Sequence, residues 1–275
     1  MQEKTSPAEA ARTGAILLRE RRGAIELLTL NRPAQRNSLS EALIDALQDA
    51  IDDISSDRDV AAVVIAANGP VFSSGHDLKE MTAHRADDDG GRAYFTGLMD
   101  KCARMMLSIQ RCPKPVIAAV EGVASAAGCQ LVATCDLAVA GATARFATPG
   151  VNIGLFCSTP MVALSRNVSR KRAMEMLLLG EMLAANDAAD YGLVNRVVPE
   201  GEALAGALDM ADVIASKSTA TVAIGKQAFY SQLEAPVAEA YAEAAEVMVR
   251  NMLYRDAEEG IGAFIGKRKP EWKGC

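Results

Sequence analysis

Histidine is nearly absent from this chain: His76 and His84 are the only two in 275 residues. The cysteines, Cys102, Cys112, Cys129, Cys135, Cys157 and Cys275, form no CxxC pair. The ligand sets of structural zinc are therefore missing, and no metal site is expected. Cysteines scattered in this way read as reduced thiols of a cytosolic protein. Aromatic residues are also scarce, at 4%. Ala, Val, Leu, Ile and Met must fill the core, which suits closely packed helices and strands. No basic stripe offsets the net charge of −6, so nucleic acid is not an expected partner. No apolar run reaches the roughly 18 residues that span a bilayer. P-loop, GxGxxG, GxSxG and HExxH patterns are missing. The opening MQEKTSPAEAARTG lacks the order of a signal peptide, and Glu3 and Glu9 argue against a transit peptide. Residues 1–14 are expected to be a loose tail.

What is present alternates between strand and helix. Residues 24–30 read as a strand stopped by Asn31, Arg32 and Pro33. Ser38 with Glu41 resembles a capping box, and Leu43, Leu47, Ile51 and Ile54 then recur at helical spacing, giving a helix over 39–54 with those residues in the core. The run VAAVVIAA at 60–67 is apolar throughout, as in a strand buried on both faces of a parallel sheet. The polar stretch 82–92 is expected to be a mobile surface loop, with Asp87–Asp89 a solvated face. A helix over 93–111, a strand over 115–120, a helix over 126–134 and a strand over 136–140 follow. After about residue 158 only helices are expected, over 160–168, 170–179, 184–191, 202–216, 218–230, 236–253 and 256–267. This predicts an α/β core over 15–200 and a helical region over 201–275.

The segments NRPAQRNSLSEAL (31–43), FSSGHDLKEM (72–81), GVASAAGCQLVATCDLAVA (122–140) and FATPGVNIGL (146–155) occur in an order and spacing that resemble the crotonase, or enoyl-CoA hydratase/isomerase, superfamily. GLVNRVVP (192–199) and GAFIGKRKPEW (262–272) extend the resemblance over about residues 20–272. It implies a superhelix of ββα turns with a C-terminal helical trimerisation region, assembling as a homotrimer or a dimer of trimers. It also implies an acyl-CoA thioester as the partner molecule, with no separate cofactor. By motif match, the thioester oxygen would rest between the backbone N–H groups of His76 and Ala127, Ala127 lying at a helix start where free N–H groups favour negative charge. Arg36, Ser74, His76, Asp77, Leu78, Lys79 and Ala127 would line the CoA site, with Phe264 and Lys267 closing it from the C-terminal helices. The His76 ring reads as a bystander, since the resemblance assigns its amide. Lys79 suits the nucleotide phosphates as a point charge.

Hydration in this family uses two glutamates that hold a water and move protons at both carbons of the double bond. Their positions here carry Gln130, in Gly128-Cys129-Gln130-Leu131, and Gly150, in Phe146-Ala147-Thr148-Pro149-Gly150. Gln130 can hold a water but cannot transfer a proton near neutral pH, and Gly150 has no side chain. Ser158 stands where another branch places an aspartate and cannot replace it. A nucleophilic Cys157 or Ser158 has no histidine near it in sequence. Asp136 reads as structural, Asp77 and Glu80 as capping or solvated, and Cys129 and Cys135 as small buried residues. The resemblance thus implies an enoyl-CoA hydratase/isomerase-type enzyme stabilising a thioester enolate, with efficient hydration argued against. A non-catalytic acyl-CoA-binding protein and a structural subunit are the alternatives left open. Restoring both glutamates, Gln130→Glu with Gly150→Glu, is expected to create crotonyl-CoA hydration.

Overall fold

The computed structural model describes residues 14–275; residues 1–13 of the expected tail at 1–14 lie outside them. A hairpin, β1 (Leu17–Arg22) and β2 (Ile25–Leu30), leads into α1 (Glu41–Ser56). β3 (Ala62–Ala67) and β4 (Val71–Ser73) precede α2 (Leu78–Ala83) and α3 (Arg92–Arg111). The ββα pattern repeats with β5 (Val116–Val120), β6 (Val123–Ser125) and α4 (Ala127–Thr134), then with β7 (Leu137–Gly141), β8 (Arg145–Ala147), α5 (Pro160–Asn167) and α6 (Arg170–Leu179). The rest comprises β9 (Leu183–Ala184), α7 (Ala185–Asp190), β10 (Arg196–Val198), α8 (Ala203–Ala215), α9 (Thr219–Leu233), α10 (Val237–Met252) and α11 (Arg255–Ile265).

After the β1–β2 hairpin, the strands divide between two sheets: β3, β5 and β7 join a six-stranded sheet ordered β1-β2-β3-β5-β7-β10, and β4, β6 and β8 a four-stranded sheet ordered β4-β6-β8-β9. β2, β3, β5, β7 and β10 run parallel, in registers such as Leu27↔Val64, Val64↔Ile117 and Ala119↔Val139. Side chains alternate across the large sheet. Leu28, Leu30, Val63, Ile65, Val116 and Ala118 face the main core with α1. Leu27, Val64, Ala66, Ile117 and Val139 pack under Ala207 and Ala211 of α8. Burial on both faces accounts for the unbroken apolar run at 60–67.

Several expectations are corrected. β1 (LLRERR) went unpredicted because it is a charged edge strand, its Arg19 and Arg21 pairing with Glu26 at 3.1 and 2.7 Å. The N-cap of α1 is Ser40, which accepts from Leu43 N at 3.3 Å, not Ser38. Ser38 instead donates to Asp77 Oδ2 at 3.0 Å. Strands do not stop at 158, since β9 and β10 extend both sheets. The segment 82–92 is the end of α2, a 3-10 turn and a cap rather than an irregular loop. Asp89 caps α3 through the Gly91 and Ala93 amides at 2.9 and 2.8 Å, and His84 stacks on Tyr94 at 3.6 Å. Finally, α8 packs on the large sheet's second face through Ala207 and Ala211.

Candidate active site

The site is built where β4 and β6 end side by side. Leu39 accepts from the Asp77 amide at 3.4 Å and donates to the Gly75 carbonyl at 2.8 Å. Both bonds lie on one side of the chain, so the intervening His76 N–H faces the other way. Gly75 has φ +90°, and a Cβ there would sit 3.1 Å from Ala127 N and 2.9 Å from Ala126 Cβ. Only glycine lets the 75–76 turn approach the start of α4 so closely. Ala126 is held at φ 50°, ψ −118°, a costly conformation for a residue with a Cβ. Its amide is fixed to Ala147 O at 2.9 Å. The twist leaves Ala127 as the first helical residue, whose N–H has no intrahelical acceptor. The two amides singled out in the sequence are thus on adjoining turns.

The loop carrying Arg36 is pinned to the same turns. Arg36 and Asn37 both have left-handed backbones, at φ 53° and 49°. Asn37 supports this by donating to Asn68 O and Val71 O at 2.9 and 2.7 Å and accepting from Arg32 N at 2.7 Å. Ser74 N donates to Arg36 O at 3.1 Å. Asp77 caps α2 through the Lys79 and Glu80 amides and pairs with Arg32 at 3.3 Å. Burial alone would raise the Asp77 carboxyl, but Ser38, the Glu80 amide and Arg32 outweigh it and hold the pKa below its usual value. Glu80 accepts from the Glu41 amide at 3.1 Å. Arg36, Leu78 and Lys79 are exposed beside this turn. Phe264, 85% exposed, and Lys267 stand on the C-terminal segment, with no hydrogen bond or ion pair to these loops among the described residues.

Gln130 follows Ala127 by one turn of α4 and is buried, with Oε1 unpaired. Thr148 Oγ1 and both ring nitrogens of His76 are likewise buried and unpaired. Unpaired buried polar atoms are costly in a folded chain, so each of these side chains calls for a water or ligand partner. Burial lowers the His76 pKa, against a smaller opposing contribution from the Leu39 backbone, so its ring is neutral at pH 7. Thr148 was not singled out in the sequence. Its signal was its place two residues before Gly150.

Gly150 is more than an empty position. Its N–H donates to Cys157 Sγ at 3.3 Å, and a Cβ there would fall 2.8 Å from Leu155 O and 2.9 Å from Cys157 Sγ. The 154–157 turn occupies the space a side chain would need. Burial raises the Cys157 pKa, against a smaller contribution from the Gly150 N–H, so the thiol stays protonated. Ser158 is exposed, its hydroxyl donating to Phe156 O at 3.3 Å. Beyond Gln130 opens a cavity of about 680 Å³ between α3, α4, α5 and α9.

The match to the enoyl-CoA hydratase/isomerase family model runs over residues 20–275. The chain belongs to that family. The rat enoyl-CoA hydratase domain-containing protein 3, mitochondrial, is 48% identical over 248 residues, covering 90% of this chain and 81% of that protein. The runs FSSGHDLKE, AAGCQLVA and FATPGVNIGLFCSTP resemble that group. A crystal structure of an enoyl-CoA hydratase from Mycobacterium smegmatis superposes with TM-score 0.90 at 51% identity, covering 94% of this chain and 99% of that one. The human enoyl coenzyme A hydratase domain-containing protein 3 superposes with TM-score 0.89 at 45% identity, covering 94% and 100%. The expected cytosolic location is corrected by these relatives, since the rat, human and mouse proteins are mitochondrial by name. Reduced thiols argue only against an oxidising compartment and never singled out the cytosol. No helix among the described residues is long and apolar enough to cross a membrane.

Proposed function

We propose that this family member binds an acyl-CoA thioester with its carbonyl oxygen between the His76 and Ala127 amides, stabilises negative charge there, and is a poor hydratase. Backbone donors of this kind are worth roughly 3–4 kcal/mol each at a developing oxyanion and need no titratable side chain. The CoA portion runs over Arg36, Ser74 and residues 77–79, with Lys79 at the phosphates. Phe264 and Lys267, both exposed, reach a site in a neighbouring subunit of a trimer. The observation that carries the reading is Gly150: it supplies no carboxylate, and even a Cβ there would fall 2.8 Å from Leu155 O, while Gln130, at the other position, cannot carry a proton. The oxyanion donors remain and the water-activating pair is gone.

Calorimetric titration with crotonyl-CoA and with free CoA tests this. The thioester binds, and the thioether butyl-CoA binds more weakly, because it offers the two amides no carbonyl oxygen. A wild-type protein with no affinity for any CoA thioester would overturn the proposal.

A further inference from the structure

We infer that Glu259 is a positioning residue: through Arg268 it holds the turn that closes α11, so that Lys267 meets the CoA phosphates in the neighbouring subunit with its backbone fixed in advance. The inference rests on the acyl-CoA reading above, which sends Phe264 and Lys267 to that site. α11 stops at Gly266, and Lys267 follows with a left-handed backbone at φ 50°. The Lys267 N–H donates to Phe264 O at 3.2 Å, and the Arg268 N–H donates to Ala263 O at 3.0 Å. A helix stop with this pair of bonds usually places glycine at the left-handed residue. Here the glycine stands one residue early and a lysine takes the left-handed place. A residue with a Cβ keeps such a backbone only where its surroundings enforce it, and such outliers cluster where geometry serves a ligand. The Lys267 side chain is exposed, with no hydrogen bond or ion pair among the described residues.

The chain beyond Lys267 enforces the turn by running back along α11. The Arg268 guanidinium forks onto Glu259, Nη1 to Oε1 at 2.6 Å and Nη2 to Oε2 at 2.7 Å. Glu259 Oε1 also accepts from the Glu271 amide at 2.8 Å. The fork, helped by that amide, holds the Glu259 carboxyl down to about 2, so the clamp stays charged at neutral pH. One turn earlier, the buried Asp256 accepts from the Lys273 and Gly274 amides at 2.7 and 2.9 Å and from Ser218 Oγ at 2.6 Å. The Trp272 ring lies 3.0 Å from where a Cβ at Gly260 would sit, and its Nε1 donates to Ser216 O at 2.9 Å. Asp256, Glu259 and Gly260 share one face of α11, and the returning segment is seated there. Ser218 is the N-cap of α9. α9 is tied to the core in turn, since Lys226 Nζ and Tyr230 OH donate to the two oxygens of Asp136 at 2.6 and 2.9 Å. Polar contacts thus run unbroken from the core to the 266–268 turn, and they leave Phe264 and Lys267 exposed.

Titrations of the full chain with butyryl-CoA test this, with sedimentation checking that each variant assembles as wild type does. Lys267→Met weakens binding at least about tenfold, the size of a lost charge-assisted bond to phosphate. Glu259→Gln keeps the shape and loses the charge, while Arg268→Lys keeps the charge and loses the fork. Each weakens binding severalfold, and if one of them disturbs the assembly the other carries the test. Combined with Lys267→Met, neither costs anything further, because the cation they aim is gone. A clamp that only stabilised the fold would cost the same with lysine or methionine at 267. Wild-type affinity in both clamp variants, or an equal cost in both backgrounds, overturns the inference and leaves the acyl-CoA reading standing. Unchanged affinity in Lys267→Met, or a wild type that sediments as a monomer, overturns it too. No binding of butyryl-CoA by wild type removes the acyl-CoA reading and this inference with it.

Discussion

The Gly150 amide donates a hydrogen bond to the Cys157 sulfur at 3.3 Å, and that sulfur lies 2.9 Å from where a Cβ at 150 would sit. The two residues are seven apart in sequence and joined by a 3-10 turn. A side chain at 150 meets backbone oxygen Leu155 O at 2.8 Å as well as sulfur. Gly150→Ala should therefore cost about 1–3 kcal/mol by overpacking, read in a urea melt. A melt unchanged from wild type would show that the turn yields. The double restoration Gln130→Glu with Gly150→Glu meets the same contacts, so the 154–157 turn must shift to admit the new Cβ at 150.

Gly75 is required by both its backbone and its neighbours. Gly75→Ala places a methyl group 2.9 Å from Ala126 Cβ and 3.1 Å from Ala127 N, at φ +90°. Acyl-CoA affinity should fall by tenfold or more while helical circular dichroism is kept. Gly90→Ala serves as the control, with φ +67° and nothing within 4 Å of the added methyl, and should bind as wild type does. Equal affinity in the two variants would separate the 75–76 turn from the ligand.

How much of this was legible in the sequence follows from residue range. The strand at 62–67 announced itself because both faces are covered, so every position is apolar. β4, β6 and β8 have three residues each and β9 has two, too few for any period to show. The 75–76 turn and the start of α4 drew notice because each lies in a short motif that carries the family resemblance. The Asp136 cluster was not: Lys226 and Tyr230 lie 90 and 94 residues away. The available signal was that Lys226 is the one charged residue in TATVAIGKQAFYSQL. Nor could a sequence reveal that Cys157 and Leu155 fill the space above Gly150.

Lys226 and Asp136 form a buried pair, their side chains 6% and 14% exposed. Removing one partner leaves a buried charge uncompensated. Lys226→Met should destabilise by about 3–5 kcal/mol, and Asp136→Leu combined with Lys226→Met should recover part of that loss. Chemical denaturation of the two variants checks it. A single variant as stable as wild type would contradict the anchoring of α9.

The buried thiols make the protein sensitive to alkali. Burial pushes Cys102 and Cys129 up to about 12, and Cys135 is raised in the same direction. Below about pH 8.5 these thiols are protonated in both the folded and unfolded states, so their contribution is fully present. As pH rises from there toward 12, the unfolded state releases protons that the folded state keeps, and stability falls by up to about 1.4 kcal/mol per pH unit for each thiol. Cys102→Ala should make the loss of melting temperature above pH 9 less steep. An identical slope in that variant would show that Cys102 does not contribute. In native protein at pH 8, Cys275, the one exposed cysteine, should react first with iodoacetamide.

Crotonyl-CoA hydration by the wild-type protein, followed at enzyme concentrations near that of the substrate, probes the missing proton-transfer pair most directly. A family hydratase that carries both glutamates is measured alongside. The predicted result is a rate lower by at least about 10²-fold, with crotonyl-CoA still bound. A rate matching the two-glutamate enzyme would mean that another group in this pocket moves the protons, and the account would be wrong.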